Sequence, residues 1–349
     1  MNKNVLSVVG ARPQFVKAGA VSRAFLATPG LTERIVHTGQ HFDDNMSEVF
    51  FRELDIPKPA HNLGIGGGPQ GQMTGRMLEA IEAILIDEKP DMVLVYGDTN
   101  STLAGTLAAA KLHIPVAHVE AGLRSFNRRM PEEINRVMAD HLSAMLFCPT
   151  SVSVANLASE GIVRNVHHVG DVMYDATVFA RDQAQAASSI LERLGLEDGA
   201  YGLCTVHRAE STDDPVLFAE LIQYLERVAA DNPIVFPVHP RTRKTLDALG
   251  ITPKNLILMD PVGYFDIHRL LSGAALVLTD SGGLQKEAYF HGVPCVTLRT
   301  ETEWVETISS GWNRLWRHEG YATPRTPIDE YGAGDAAQKI VTLIKQQLS

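Results

Sequence analysis

Three acidic side chains fall where an open α/β sheet collects its chemistry. Asp98 closes Val93-Leu94-Val95-Tyr96-Gly97-Asp98-Thr99, Glu120 closes Val116-Ala117-His118-Val119-Glu120, and Glu132 stands in Met130-Pro131-Glu132-Glu133. The first two end short apolar runs; the third opens a helical pattern behind a proline. Parallel sheets bind ligands beyond the carboxyl ends of their strands, so acids closing two successive strands are expected to face one crevice. Carboxylates crowded there suit proton transfer, because mutual repulsion and burial raise a pKa until the group can serve as acid or base.

A second set of residues suits anion binding. In Leu278-Thr279-Asp280-Ser281-Gly282-Gly283-Leu284-Gln285-Lys286-Glu287 an apolar run passes through Ser-Gly-Gly into a helical pattern. A hydroxyl, a close backbone approach and a helix N-terminus converge at Ser281, Gly282 and Gly283, which makes a phosphate cradle. Glu287 lies about one turn further on, as a ribose acceptor or as a plain helix-surface residue. His207 and Arg208 end the run 203–206, and His239 and Arg241 end the run 234–237. Paired at equivalent strand ends, they suit pyrophosphate; structural histidines are the alternative. Gly10-Ala11-Arg12-Pro13 sits between a strand and a helix, where backbone N–H groups attract anions and Arg12 and Lys17 could add charge. A solvated helix start is the plainer reading, and the turn lacks the full dinucleotide pattern. The histidines and aspartates lack compact ligand spacing, so no metal is expected.

These residues sit on a regular series of elements: apolar runs at 5–9, 34–38, 92–96 and 116–119 alternate with helical patterns at 15–27, from about Met46, at 72–87 and at 101–112. This alternation predicts a doubly wound parallel sheet. Residues 64–72, rich in glycine, read as a loop, either a lid or plain surface. A second series has strands at 203–206, 234–237, 256–259, 276–279 and 295–298. Two Rossmann-like domains follow, 1–170 and 171–335, facing across a ligand cleft, with a last helix at 336–349 free to pack back on the first.

The chain has 349 residues, 45% of them hydrophobic, enough for two cores. Its formal net charge of -10 argues against nucleic acid as a partner. Three widely spaced cysteines in apolar runs suit buried thiols in a reducing compartment. With no apolar run near the length of a membrane span and an opening stretch that reads as a strand, a cytoplasmic protein without a membrane partner is expected. Phe50-Phe51 and the remaining aromatics fit core faces.

Taken in order, Gly10-Ala11-Arg12-Pro13, Gly39-Gln40-His41, Gly97-Asp98-Thr99, His118-Val119-Glu120-Ala121-Gly122-Leu123-Arg124, Pro131-Glu132-Glu133-Ile134-Asn135-Arg136, His207-Arg208, His239-Pro240 and Asp280-Ser281-Gly282-Gly283 make the chain resemble the non-hydrolysing UDP-N-acetylglucosamine 2-epimerases almost end to end. The resemblance implies an α/β protein of glycosyltransferase-B architecture, a homodimer, and inversion at C2 of a UDP-linked 2-acetamido sugar without cofactor or metal. By the same mapping Asp98, Glu120 and Glu132 handle protons and oxocarbenium charge, and His207 assists the departing phosphate. Arg12, Lys17, Arg136, Arg208, His239, Ser281, Gly282 and Gly283 belong to the substrate site, with Glu287 on the ribose and the 262–265 segment, including Tyr264 and Phe265, on the uracil.

Departures point to a particular substrate. Thr302-Glu303-Trp304-Val305-Glu306 replaces the family's usual Thr-Glu-Arg-Pro-Glu and loses a cation, Gln14 replaces a usual acid, and Ala209 a larger polar residue. These look more like the subgroup acting on UDP-2,3-diacetamido-2,3-dideoxyglucuronate in bacterial surface-polysaccharide synthesis, with Gln14 easing the approach of a substrate carboxylate. In Gln40-His41-Phe42-Asp43, only the first two residues keep the types of a regulatory substrate loop. The rival readings are a hydrolysing epimerase, a glycosyltransferase of the same architecture, and a sugar-nucleotide sensor without chemistry.

Overall fold

The computed structural model describes residues 2–40 and 53–349; His41, Phe42, Asp43, the pattern starting at Met46 and Phe50-Phe51 lie outside them. The first sheet contains β1 (Lys3–Val9), β2 (Leu31–His37), β3 (His61–Asn62), β4 (Met92–Tyr96), β5 (Val116–Val119), β6 (Met145–Cys148) and β7 (Val166–His168). They lie in the order β3-β2-β1-β4-β5-β6-β7, every pair parallel. A second sheet holds β8 (Gly202–Thr205), β9 (Ile234–Pro237), β10 (Leu256–Met259), β11 (Leu276–Thr279), β12 (Cys295–Thr297) and β13 (Asn313–Leu315). Its order is β10-β9-β8-β11-β12-β13, again all parallel. Two doubly wound units in one chain are the composition of the glycosyltransferase-B class.

Helices covering both faces explain why central strands read as unbroken apolar runs: every residue of β4, β5 and β6 is buried. Helix Gln70–Glu88 presents Met73, Met77, Ile81 and Leu85 at four-residue spacing to the core. Helix Asn100–Lys111 turns alanines and Gly105 inward, and a Cβ at Gly105 would lie 3.1 Å from Val8 on β1. Small residues there let helix and sheet approach closely. Truncating a fully buried side chain such as Met77 to alanine costs about 2–5 kcal/mol.

One compact unit comprises Met1–Ala176 with Asp329–Ser349, the other Thr177–Ile328. The division falls inside helix Val172–Ala187, six residues beyond the join expected from sequence, and the chain returns at Asp329 rather than 336. The cause is local. Asp171 N–H donates to the Tyr331 carbonyl at 3.0 Å, and the Asp175 carboxylate accepts the N–H groups of Ala336 and Ala337 at 3.2 and 2.8 Å. Asp175 thereby caps helix Ala336–Leu348, which packs on helix Arg12–Leu26.

Candidate functional site

Each sheet reverses strand order at one point, between β1 and β4 in the first and between β8 and β11 in the second. Crevices at the carboxyl ends of such switch points are where these folds bind ligands. Gly10 to Pro13 follow β1 and Gly97-Asp98 follow β4; His207-Arg208 follow β8 and Asp280 to Gly283 follow β11.

In the first unit Asp98 is ion-paired with Arg136, while Asn135 Nδ2 donates to the Asp98 carbonyl at 3.0 Å. Both partners come from helix Pro131–Leu142, so the segment carrying Glu132 also fixes Asp98. Burial raises the Asp98 pKa above the ordinary 3.8. Glu120 pushes in the same direction, and Arg136 and Lys17 oppose without prevailing. Glu120 is ion-paired with the buried Lys17 and has a left-handed backbone, φ 71°. A non-glycine residue held there costs on the order of 1–3 kcal/mol, the kind of strain found at functional sites. A Cβ on Gly97 would lie 3.2 Å from Glu120 Oε2, so only glycine fits between the two acids.

Glu132 is exposed on the first turn of its helix and lines a pocket of about 230 Å³ with Asp98, Gln40, Gln70, Asn100 and Asn135. Asp98 thus shares the pocket lining with Glu132 and feels the charge of Glu120. The neighbouring Glu133 does something else: buried, it accepts the N–H groups of Ser125 and Phe126, both at 2.9 Å, and stabilises that turn.

Arg12 is exposed between Ala11 and Pro13, both of which line the pocket. The backbone anion site expected at this turn is not available. Gln14 Oε1 already accepts the N–H groups of Gly10 and Ala11 at 2.8 and 3.1 Å. Gln14 Nε2 donates to the Tyr96 carbonyl at 2.8 Å and to Thr102 Oγ1 at 3.0 Å. Gln14 is 1% exposed and does not line the pocket, so it offers a substrate carboxylate no direct contact. It is a bracket between β1, β4 and the helix after β4, and an ionised acid there could not donate to Tyr96. Lys17, expected to offer charge to substrate, is engaged by Glu120.

In the second unit the fully buried Asp280 organises the strand ends. It accepts the N–H of His207 at 2.9 Å and of Arg208 at 2.9 Å, and His207 Nδ1 lies 3.1 Å from it. Burial alone would raise its pKa; the His207 side chain and these N–H groups outweigh burial and hold it below 3.8. His207 meets His239 ring to ring at 5.7 Å, and His239 Nδ1 accepts the N–H of Arg241 at 3.2 Å, capping helix Pro240–Leu249. Arg241 itself pairs with Asp213 at 3.2 Å, which takes it out of the expected pyrophosphate set.

Ser281 caps helix Gly282–Phe290, its hydroxyl accepting the N–H of Leu284 at 3.4 Å. A Cβ on Gly282 would fall 2.3 Å from Glu303 Oε1, so a carboxylate lies over the glycine turn, flanked by Arg299 at 2.8 Å and Arg208 at 3.9 Å. Trp304 is buried, and the Lys286 ammonium sits 3.8 Å from its ring centre. The cation missing from the Thr-Glu-Trp-Val-Glu segment is therefore matched by others close by in the fold. Glu287 lies half-buried, its Oε1 3.9 Å from His268 Nε2, so it is not a plain surface residue. Tyr264 turns into the fold, edge-on to His268 with ring centres 4.3 Å apart, leaving Phe265 the more accessible aromatic of its segment.

Sequence reading missed Gln70 and Asn100 in the pocket, Glu303 over Gly282, and the buried Asp140. Asp140 follows Glu133 by seven residues, two helical turns, and two charges on one buried face were the available signal. All three cysteines are buried, and burial raises their thiols, Cys148 to about 12, which rules out ready nucleophiles. Among the described residues no cluster of three or more His, Cys, Asp or Glu is arranged to hold a metal, and no helix is long and apolar enough to cross a membrane.

Against known proteins, a family model described as UDP-N-acetylglucosamine 2-epimerase matches residues 23–345. A Pseudomonas aeruginosa protein named UDP-2,3-diacetamido-2,3-dideoxy-D-glucuronate 2-epimerase is 51% identical, covering 96% of this chain and 98% of its own. The crystal structure of Methanocaldococcus jannaschii UDP-GlcNAc 2-epimerase with UDP-GlcNAc and UDP superposes with a TM-score of 0.87 at 39% identity, over 99% of this chain and 100% of that one. The Neisseria meningitidis UDP-GlcNAc 2-epimerase bound to UDP-GlcNAc gives 0.89 at 30% identity, over 98% and 100%.

Proposed function

Because the chain belongs to the UDP-N-acetylglucosamine 2-epimerase family, and is therefore an isomerase acting on a UDP-sugar, we propose that it interconverts UDP-2,3-diacetamido-2,3-dideoxyglucuronate and its manno epimer at C2. The observation that carries the chemistry is the acid cluster at the first switch point, Asp98 with Glu120 and Glu132. What favours the diacetamido uronate over UDP-GlcNAc is likeness: 51% identity to a relative named for the former, against 48% to a Methanococcus maripaludis protein named a UDP-N-acetylglucosamine 2-epimerase homolog and 43% to the Methanocaldococcus jannaschii UDP-N-acetylglucosamine 2-epimerase.

The reaction breaks the C2–H bond and the C1–O bond to UDP, leaving a C1=C2 glycal; UDP then re-adds at C1 while a proton arrives on the opposite face of C2. Two faces need two proton carriers. Asp98, Glu120 and Glu132 supply them and stabilise positive charge at C1, and the raised pKa of Asp98 suits a group that must both hold and release a proton. In the second unit the phosphates rest on Ser281, Gly282, Gly283 and Arg208, with His207 assisting the leaving oxygen. Asp280 presents the His207-Arg208 backbone for this purpose. Glu287 takes the ribose and Phe265 the uracil. A homodimer, and a place in bacterial surface-polysaccharide precursor synthesis, belong to the same proposal; sedimentation equilibrium tests the first.

The substrate is tested by offering both UDP-sugars and comparing kcat/KM for C2 inversion. We expect the diacetamido uronate to lead. A preference for UDP-GlcNAc above about tenfold, roughly 1.4 kcal/mol in barrier, would overturn the substrate assignment and leave the reaction class intact.

A further inference from the structure

Behind the strand-end acids runs a chain of buried charges that the proton transfers above do not use. His118 on β5 is 0% exposed; its Nδ1 meets Asp140 Oδ1 at 2.8 Å and its Nε2 the Gly97 carbonyl at 2.7 Å. Asp140, also 0% exposed, accepts on Oδ2 the Gly122 N–H at 3.1 Å and Arg124 Nη1 at 2.7 Å. Arg124 in turn holds Glu160 through Nε and Nη2, each at 2.7 Å.

Both Asp140 oxygens accept, so it serves as an ionised carboxylate. The two ring nitrogens of His118 face the Asp140 carboxylate on one side and the Gly97 carbonyl on the other. The ring is thus a rigid strut from Asp140 to Gly97. The backbone groups that the pair holds flank the acids: Gly97, met by His118, precedes Asp98, and Gly122, met by Asp140, lies two residues after Glu120. Gly97, Glu120 and Gly122 all have left-handed backbones, with φ of 58°, 71° and 79°. Loops in such conformations persist only where surrounding contacts over-determine them, and here Asp140 reaches Gly122 directly and Gly97 through His118.

We propose that His118 and Asp140 form a positioning pair that fixes the aim of Asp98 and Glu120 on the reacting carbon without touching substrate. Displacing a reacting group by about 1 Å costs on the order of 100-fold in rate, whereas nucleotide binding at the second unit's glycine turn is independent of it. Asp140→Asn keeps the shape and replaces one acceptor oxygen with an amide; His118→Asn is too short to span the two ends.

The inference rests on the reading that Asp98 and Glu120 handle the C2 proton, and the test separates the two. In the full-length protein, C2 exchange, KM, the Kd for UDP and the melting temperature are measured for D140N, H118N, the double variant and D98N. We expect D140N to lose about 100-fold in exchange rate with KM and Kd within roughly threefold of the parent. H118N should match it, and the double variant should lose no more than either alone, since the two residues act as one unit. Exchange in D140N within about threefold of the parent, or a parallel loss of UDP affinity, overturns the positioning role. So does failure of both single variants to fold. Should D98N retain exchange, the acid reading itself fails; should D98N be inactive while D140N runs at the parental rate, only the positioning pair fails.

Discussion

Asp98 and Asp280 occupy equivalent places in the two units. Each follows the strand across the switch point, β4 or β11, and each precedes a helix. Burial penalises both charges, yet the Asp98 pKa lies above 3.8 and that of Asp280 below it. The difference lies in what answers the charge. Asp280 meets two backbone N–H groups and the His207 ring, a fixed and complete set of donors. Asp98 meets one arginine, with Lys17 acting from beyond, and is opposed by Glu120. The same topological position therefore yields an anchor in one unit and a group able to carry a proton in the other, because donors were supplied to one and a rival carboxylate to the other.

Four experiments break or sharpen this contrast. Asp98→Asn should lower C2 exchange by about 10³-fold or more while UDP affinity, read by calorimetry, stays within roughly threefold. Asp280→Asn should do the reverse in kind: urea unfolding should show a loss of about 2–3 kcal/mol, because an amide turned toward N–H donors leaves buried groups unpaired. Gly282→Ala puts a methyl group where Glu303 lies, on the proposed phosphate turn, and should weaken UDP binding by about tenfold.

The smallest effect is a pH dependence of opposite sign. A raised pKa means the folded protein binds the proton more tightly, so the stability due to Asp98 is fully present below 3.8 and is lost as pH rises through the folded value. For Asp280, with a depressed pKa, the contribution is present above 3.8 and lost as pH falls through the folded value. Unfolding at pH 7 and pH 3 should therefore show the D280N penalty shrinking in acid, and D98N gaining on the parent at the higher pH. Parallel pH trends for the two variants would erase the distinction.

Much of this was legible in the sequence where local pattern and topology agree. Asp98, Glu120, His207 and Ser281 stand at strand ends because apolar runs of four or five residues stop just before them, and a buried parallel strand must read that way. The edge strands β3, β7 and β13 have two or three residues each, too few to show a period. Partner choice was illegible: Gln14 resembles a pocket residue in sequence, yet its amide is consumed by Gly10, Ala11, Tyr96 and Thr102. Arg241 and Glu303 each found a partner from another element, Asp213 in one case and Arg208 in the other, and nothing in local spacing announces such pairs. The 171–176 segment joined the first unit because Tyr331, Ala336 and Ala337, far along the chain, supply its hydrogen bonds.

The central claim, that acids of the first unit invert C2 and the product leaves joined again to UDP, is met most directly by incubating the protein with the UDP-sugar in heavy water and following C2 by NMR. Deuterium should enter C2 of both epimers, each still carrying UDP. A C2 position that stays protonated, or free sugar accumulating beside UDP, would contradict it.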